Sequence, residues 1–491
     1  MAWNRQRLRE LLRHQLGDGL FIIVSNREPY IHRLQDEAVV CQIPSGGLTA
    51  ALDPVMRCCG GLWVAHGAGD ADRQVVDAHA RIQVPPEEPS YTLRRVWLSK
   101  QEEAGYYYGF SNEALWPLCH LAYTRPIFET SDWEIYKAVN RKFADVILEE
   151  IGNRNAFVFI QDYHFALLSR MLKRPNIRTA QFWHIPWPNP EAFRICPQAE
   201  EILDGLLGND LLGFHIPYHC QNFLDTVDRL LESRVDRERL QVTRGRVTTC
   251  VRSFPISVDS EAIAEQVADP AVEAEMTRLT RHYSLRQRII GLGVDRVDYT
   301  KGIAERLRAI DRFLERHPEF HKRFVFVEIG VPSRIHIPVY QRLNEEIEQL
   351  VNEVNWKYQT DGWSPILHVN TDVPLTTLQA WYRLAHVCVV SSLHDGMNLV
   401  AKEYVSSRIQ DDGVLVLSHF TGAARELTEA LLVNPYNLDE LAEAVHQSVI
   451  MIPEEQQRRM RKLRAHLKEH NIFHWAAGIL SCLLQVELQQ V

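Results

Sequence analysis

Nine cysteines are spread through 491 residues without a single CxxC pair. Neither a zinc ribbon nor a dithiol redox motif is therefore present, and reduced thiols in a cytosolic protein are the simplest account. No apolar run approaches the roughly 20 residues that span a bilayer. The N-terminal stretch MAWNRQRLRELLRHQLGDG is basic but has no apolar core, so it is not expected to act as a secretory signal, and a cytoplasmic protein is expected. Positive charge is not in excess either: the net charge of −9 argues against a broad nucleic-acid-binding surface. Also missing are a GxGxxG turn with an acidic residue about 20 positions on, a Walker A lysine loop and an HExxH helix. Nicotinamide dinucleotides, P-loop chemistry and zincin-type hydrolysis are thus unsupported.

What is present is an ordinary globular composition, 46% hydrophobic and 24% charged, on a chain too long for one core, which implies two or three domains. The most informative stretch is HVCVVSSLHDGMNLVAKEY, from His386 to Tyr404. Val387 to Ser391 reads as a strand buried on both faces of a parallel sheet. Asp395-Gly396 turns the chain, and Met397 to Val400 lead into a helix. A strand, a glycine turn and a helix start leave backbone N–H groups pointing outward beside the positive end of a helix dipole, which suits an anion. The carboxylates Asp395 and Glu403 suit hydroxyl groups instead. Together they suggest a nucleotide-sugar pocket.

Along the chain, Leu8, Leu11, Leu12 and Leu16 stand at helical spacing and predict a docking helix. LFIIV is a buried strand that delivers Arg27 to the edge where open α/β sheets bind ligands. Gly46-Gly47 before a helix lets backbone approach a phosphate. GYYYGFSNEALWP brings Tyr106, Tyr107, Tyr108 and Trp116, rings that suit either a core or carbohydrate stacking. Three buried strands then end in Asp162 and His164, in His184, and in His215. Arg27, Asp162 and His184 fall where successive parallel strands deliver them to one crevice. A zinc site built from the histidines is the competing idea. The pattern restarts near Asp259 with one helical stretch from Ser260 to Tyr283. The strand from Ile289 then reaches Arg296, Asp298 and Lys301, two cations before a helix start that form a plausible diphosphate clamp. RFVFVEIGVPSR delivers Arg334, and four further strands follow. A tail with Trp475, Ile479, Leu483 and Leu484 reads as a packing helix.

The fold class expected is α/β: two Rossmann-like domains facing a central cleft. Residues 1–19 form an N-terminal helical extension, 20–256 the first domain, 257–470 the second, and 471–491 a C-terminal packing helix.

At this point the motifs carry a resemblance. SNR at 25–27, SGGL at 45–48, DYH at 162–164, HIPWP at 184–188, DLLGFH at 210–215, DRVDYTKG at 295–302, PSR at 332–334 and DGMNLVAKEY at 395–404 together resemble the trehalose-6-phosphate synthase family, retaining nucleotide-sugar glycosyltransferases of the GT-B fold. The resemblance spans residues from about 20 to 480. It implies transfer of glucose from UDP-glucose, or another nucleotide glucose, to glucose 6-phosphate, with no cofactor and no metal. Its partners would be small molecules rather than nucleic acid or membrane, and an assembly of identical copies stays open.

Carried over residue by residue, Arg296 and Lys301 would hold the donor diphosphate and stabilise the departing charge. Gly46 and Gly47 would close over it, and Val373 would line the donor site. Asp395 and the backbone of Gly396, Met397, Asn398, Leu399 and Val400 would bind the donor sugar, and Glu403 the ribose. His184 would sit beside the reacting carbon. Arg27 and Arg334 would bind the acceptor phosphate, helped by Tyr107 and Trp116, with Asp162 on acceptor hydroxyls. The chain departs from the family pattern at His66, Gln161, His394 and the EPY after SNR, mostly on the acceptor side. Glucosylglycerol-phosphate synthesis from glycerol 3-phosphate and a non-catalytic sugar-phosphate sensor are therefore the alternatives.

Overall fold

The computed structural model describes residues 3–16, 19–44, 47–360 and 362–489, with side chains left aside at 14–16 and 484–489. It divides into two compact units, residues 1–256 with 472–491, and residues 257–471.

The first unit carries strands β1 (Leu20–Arg27), β2 (Ile31–Gln35), β3 (Ala38–Gln42), β4 (Leu62–His66), β5 (Arg81–Val84), β6 (Tyr91–Val96), β7 (Ala156–Gln161), β8 (Ile177–Phe182), β9 (Leu211–Phe214), β10 (Arg234–Asp236), β11 (Gln241–Arg244) and β12 (Val247–Ser253). Ten of them form one sheet in the order β10-β11-β12-β9-β8-β7-β1-β4-β6-β5, while β2 and β3 make a separate hairpin. The central seven, β12 through β6, run parallel, and antiparallel strands close the two edges. Strands β4, β7 and β9 are buried at every position, as continuous apolar runs demand when helices cover both faces. Sheet order reverses at β1, which has β4 on one side and β7 on the other. Ligands of doubly wound sheets bind at the carboxyl ends of such a pair.

The N-terminal helix Arg5–Leu16 buries Leu8 and Leu12, and its Arg9 donates to the Cys58 carbonyl at 2.9 Å. The C-terminal helix Ile472–Gln489 returns to this same unit. Trp475 Nε1 donates to the Phe254 carbonyl at 3.2 Å, and its ring lies against Phe159 and Phe182.

The second unit holds six parallel strands: β13 (Ile289–Arg296), β14 (Phe324–Val331), β15 (Ile366–Val369), β16 (Val387–Val390), β17 (Val414–Ser418) and β18 (Leu431–Val433). Their order, β15-β14-β13-β16-β17-β18, is that of a doubly wound nucleotide-binding sheet, reversing between β13 and β16. Helix Ile303–Arg316 covers one face, burying Ile303, Leu307, Ile310 and Leu314 at helical spacing against Phe324, Phe326 and Val387. The single helical stretch expected over 260–283 is in fact two helices, Ser260–Gln266 and Pro270–His282. Pro270 has no N–H to continue a ladder, and Asp269 caps the restart by accepting from the Ala271 N–H at 2.7 Å.

Candidate active site

In the second unit, the switch point between β13 and β16 gathers the residues expected on the donor side apart from Gly46 and Gly47. Arg296 ends β13, and Lys301 follows in a single 3-10 turn closed by Gly302. Gly302 has φ +63°, and a Cβ there would come within 2.2 Å of the Ser391 carbonyl oxygen, so both backbone conformation and close packing require glycine. Three contacts fix this hook to the end of β16. Leu393 N–H donates to the Thr300 carbonyl at 2.7 Å, and Ser391 Oγ donates to the carbonyls of Gly302 and Lys301.

Lys301 Nζ reaches Asp395 Oδ2 at 2.6 Å, and Ser392 Oγ and Asn398 Nδ2 reach the same oxygen at 3.2 Å each. A cation expected on a diphosphate and a carboxylate expected on sugar hydroxyls thus hold each other.

The 395–400 turn is pinned from behind. Asp395 N–H donates to the Phe420 carbonyl, Gly422 N–H to the Asp395 carbonyl, and Ala423 N–H to the Met397 carbonyl. A Cβ at Gly422 would lie 2.0 Å from the Gly396 carbonyl oxygen, so the turn also rests on a glycine. Asn398, held at φ +91°, caps helix Leu399–Ser407 by accepting from the Ala401 N–H at 3.0 Å. Leu399 and Val400 then supply the first-turn N–H groups that a helix leaves outside its own ladder.

Glu403 is half-buried and accepts from Tyr382 Oη at 2.9 Å, and burial pushes its carboxyl up. Val373 lies beyond β15, also at the carboxyl edge of the sheet. Arg334 is buried in this unit, its guanidinium on Asp298 at 2.9 Å and against Tyr340 Oη. Burial alone would raise the Asp298 carboxyl. Arg334, Arg296 and the Thr300 N–H hold it below its usual value.

In the first unit the switch point is the pair β1 and β7. Arg27 ends β1 and lies in register with His66 on β4. Its Nη2 donates to Tyr107 Oη at 3.5 Å. Tyr107 belongs to a π-wound segment, Ala104–Leu115, and its ring lies parallel to His164 at 5.8 Å. Trp116, at the end of that segment, packs on His120 and Tyr163 with 6% exposure.

Asp162 follows β7 at φ +72°, a backbone conformation that suggests a functional constraint, and accepts from the His184 N–H at 3.1 Å. The side chain of Gln161 directs its amide nitrogen to the Phe159 carbonyl and its oxygen to His184 Nε2 at 2.9 Å. With that amide orientation, Nε2 carries the proton and Nδ1 is left as an acceptor. Burial pushes the His184 imidazole down to about 3, so the ring is neutral near pH 7.

Of the expected site residues, Gly46 lies outside those described, while Gly47 opens helix Gly47–Cys59. A zinc site of His164, His184 and His215 finds no support among the described residues. His184 Nε2 is on Gln161, His215 Nε2 is on the His184 carbonyl, and none of the three belongs to a cluster of metal-ligating groups.

The EPY departure enters a buried network whose Asp72 carboxylate also acts electrostatically on His66. Glu28 accepts from Arg95 Nε at 2.6 Å and from the Ala68 N–H at 2.9 Å, and Arg95 also pairs with Asp72 at 2.9 Å. Two carboxyls share one guanidinium, so one keeps a proton: burial and the contact with Asp72 push Glu28 up to about 8. Burial also pushes His66 down to about 4. The loop after β4 is thereby locked to the segment after Arg27, with a neutral imidazole beside that arginine.

Sequence reasoning missed the buried cluster that supports the hook. Arg306 donates to Glu328 through two nitrogens, at 2.6 and 3.0 Å, to Asp295 at 2.9 Å, and to Ser391 Oγ at 3.2 Å. The signal was available: Arg306 stands three residues after Ile303 and four before Ile310, on the apolar face of its helix.

One prediction arises here. Gln161→Leu keeps side-chain volume but leaves a buried imidazole N–H without its acceptor, which costs about 1–3 kcal/mol. If His184 acts from Nδ1, kcat falls about tenfold and the Michaelis constants change little; an unaltered kcat removes Gln161 from its support.

Comparison with known proteins places these features in context. Residues 20–485 match the family model of glycosyltransferase family 20. The chain is 38% identical over 477 residues to a trehalose-6-phosphate synthase of Mycobacterium sp. strain KMS, covering 95% of each protein. Among solved structures, a UDP-forming α,α-trehalose-phosphate synthase from Burkholderia xenovorans in complex with glucose 6-phosphate superposes with a TM-score of 0.85 at 31% identity, covering 95% of this chain and all of that one. An E. coli trehalose-6-phosphate protein bound with UDP-2-fluoro glucose gives a TM-score of 0.83 at 30% identity, covering 95% of this chain and 99% of that one.

Proposed function

We propose, from the premise that this chain belongs to glycosyltransferase family 20 and shares its GT-B fold, that it moves glucose from UDP-glucose to glucose 6-phosphate with retention, giving α,α-trehalose 6-phosphate. The observation that carries this reading is the placement of chemistry at the two switch points: Arg296 and Lys301 beside a pinned anion-binding turn in one unit, and Arg27 with Tyr107 in the other.

The leaving group is a nucleoside diphosphate, and negative charge grows on it as the glycosidic bond breaks. Arg296, Lys301 and the first-turn N–H groups of Leu399 and Val400 stabilise that charge in a site that is largely preorganised before substrate arrives. These cations stand where a metal would otherwise act, so turnover needs none. Asp395, once Lys301 turns to phosphate, is released to accept from donor hydroxyls. On the acceptor side, Arg27 takes the phosphate and Asp162 a sugar hydroxyl. His184, neutral and accepting at Nδ1, lies beside the reacting carbon, and the departing phosphate oxygen takes the acceptor's proton on the same face. No pair of catalytic carboxylates of the glycosidase kind is involved. Among the described residues no helix is long and apolar enough to cross a membrane.

A second reading rests on one observation. His66 beside Arg27 puts a small neutral ring against the acceptor phosphate site, which fits a shorter acceptor such as glycerol 3-phosphate. The test is release of nucleoside diphosphate from UDP-, GDP- and ADP-glucose with glucose 6-phosphate, glycerol 3-phosphate or no acceptor, with the product identified. Turnover that depends on glucose 6-phosphate supports the first reading; turnover with glycerol 3-phosphate alone replaces it with the second. Silence in every mixture, with glucose 6-phosphate still bound, points to a sensor.

Arg27→Ala separates the two substrates further. Loss of a charge-assisted bond to phosphate costs about 1.5–3 kcal/mol, so the KM for the acceptor rises about 10–100-fold while UDP affinity is kept. Equal loss of both would move Arg27 off the acceptor phosphate.

A further inference from the structure

At the far end of helix Ile303–Arg316 from Lys301, about 20 Å along its axis at 1.5 Å per residue, three metal-ligating side chains converge. His317 follows the helix directly, and Glu443 and His446 lie one turn apart on helix Leu438–Ile450. Their ligand atoms all lie within 4.8 Å of one another. The imidazoles of His317 and His446 stack at 3.6 Å with their planes 12° apart. A fourth donor is close, since Glu319 Oε1 sits 3.3 Å from His317 Nδ1, and Glu443 Oε1 lies 3.9 Å from His446 Nδ1.

The surroundings suit a cation. Phe313 and Phe320 form an apolar floor beneath the rings. The last carbonyls of the 303–316 helix add the negative end of its dipole. The nearby arginines Arg312 and Arg316 are both turned onto Asp439.

We propose that His317, His446 and Glu443 form a binding site for a divalent transition-metal ion of the zinc or nickel class, separate from the transferase chemistry. Two imidazoles and a carboxylate match the preferences of those ions, whereas calcium and magnesium take oxygen donors. Ligands around zinc at about 2.1 Å stand about 3.4 Å apart. Closure therefore requires the stacked rings to splay and the exposed Glu443 side chain to swing inward, both rotations about side-chain bonds. The ion would clip the end of one helix to the middle of another.

The test is titration of the full-length chain, freed of metal by a chelator, with Co2+, read by its visible ligand-field absorption and by displacement with Zn2+. One saturable Co2+ per chain is expected, weakened at least tenfold by His317→Ala and by His446→Ala and less by Glu443→Gln. Metal-free melting and transferase turnover should be unchanged in all three variants. Absence of a ligand-field spectrum overturns the proposal. So does binding undiminished in the His317→Ala, His446→Ala double variant, which would assign the Co2+ to other histidines among the chain's 21 as an adventitious ion only.

Discussion

Lys301→Ala is expected to lower turnover about 100-fold or more, a loss of ~3 kcal/mol of transition-state stabilisation, while the protein stays folded. Before substrate binds, Lys301 already has a partner. Its ammonium lies 2.6 Å from Asp395, and both side chains are slightly exposed, 13% and 14%. Both side chains are mostly shielded from water, so removing the ammonium costs about 1–3 kcal/mol and lowers the melting temperature, but Ser392 Oγ and Asn398 Nδ2 still donate to Asp395 and the chain stays folded. Its backbone is held independently of its side chain by Ser391 and by the left-handed Gly302, so truncation does not collapse the hook. What is lost is the charge that follows the diphosphate as it departs. Such an interaction is stronger in the transition state than with bound donor, so kcat should fall far more than donor affinity. A kcat within about threefold of wild type, less than 1 kcal/mol, would remove Lys301 from the leaving group and restrict it to holding Asp395.

That pairing shows where sequence reasoning reached and where it stopped. The strand before Asp395 was legible because a parallel strand buried on both faces must be a continuous apolar run, and Val387–Val390 is one. The same logic placed Arg27, Asp162, Arg296 and Lys301 at strand ends, and the observed strand orders set each group at a point of reversal. Less visible were features with no local period. The hairpin strands β2, β3, β10 and β11 are short and mostly half-buried or exposed, so no apolar alternation marks them. Contacts between residues distant in sequence were also hidden: Lys301 with Asp395, Gln161 with His184, Glu28 with Arg95. Arg334 was expected on the acceptor phosphate from its place after a strand, but its burial against Asp298 within the second unit is something no spacing rule reveals. Departures from a family pattern were legible as departures, but their joint effect was not. Only the fold brings His66 into register with Arg27 and sets Glu28 against Arg95.

Arg306→Met should destabilise the second unit by about 3–5 kcal/mol, because it removes the cation from a buried cluster and leaves two carboxyls without it. Arg306, Asp295 and Glu328 are all but inaccessible to water. At roughly 2–4 °C per kcal/mol for a unit of this size, the melting temperature should fall by about 6–20 °C. Lost packing alone would cost much less, since methionine fills a similar volume, and its cost would not depend on pH. The electrostatic account does predict a pH dependence. Burial already pushes the Asp295 carboxyl up to about 6 even with Arg306 opposing it, and removal of the guanidinium takes it higher. A carboxyl whose folded value is raised favours the folded state when protonated, below its unfolded value near 3.8, and that contribution is lost as pH rises through the folded value. The deficit of Arg306→Met should therefore be smaller at pH 5 than at pH 8, and adding Asp295→Asn and Glu328→Gln should recover much of it. The rescued triple variant would still lack the donor to Ser391 Oγ, and through Ser391 the support of the Lys301 and Gly302 carbonyls. Recovered melting with turnover still depressed would show that the cluster positions the diphosphate hook as well as stabilising the unit. Full recovery of both would confine Arg306 to stability, and a deficit equal at pH 5 and pH 8 would mean that packing, not charge, is what Arg306 contributes.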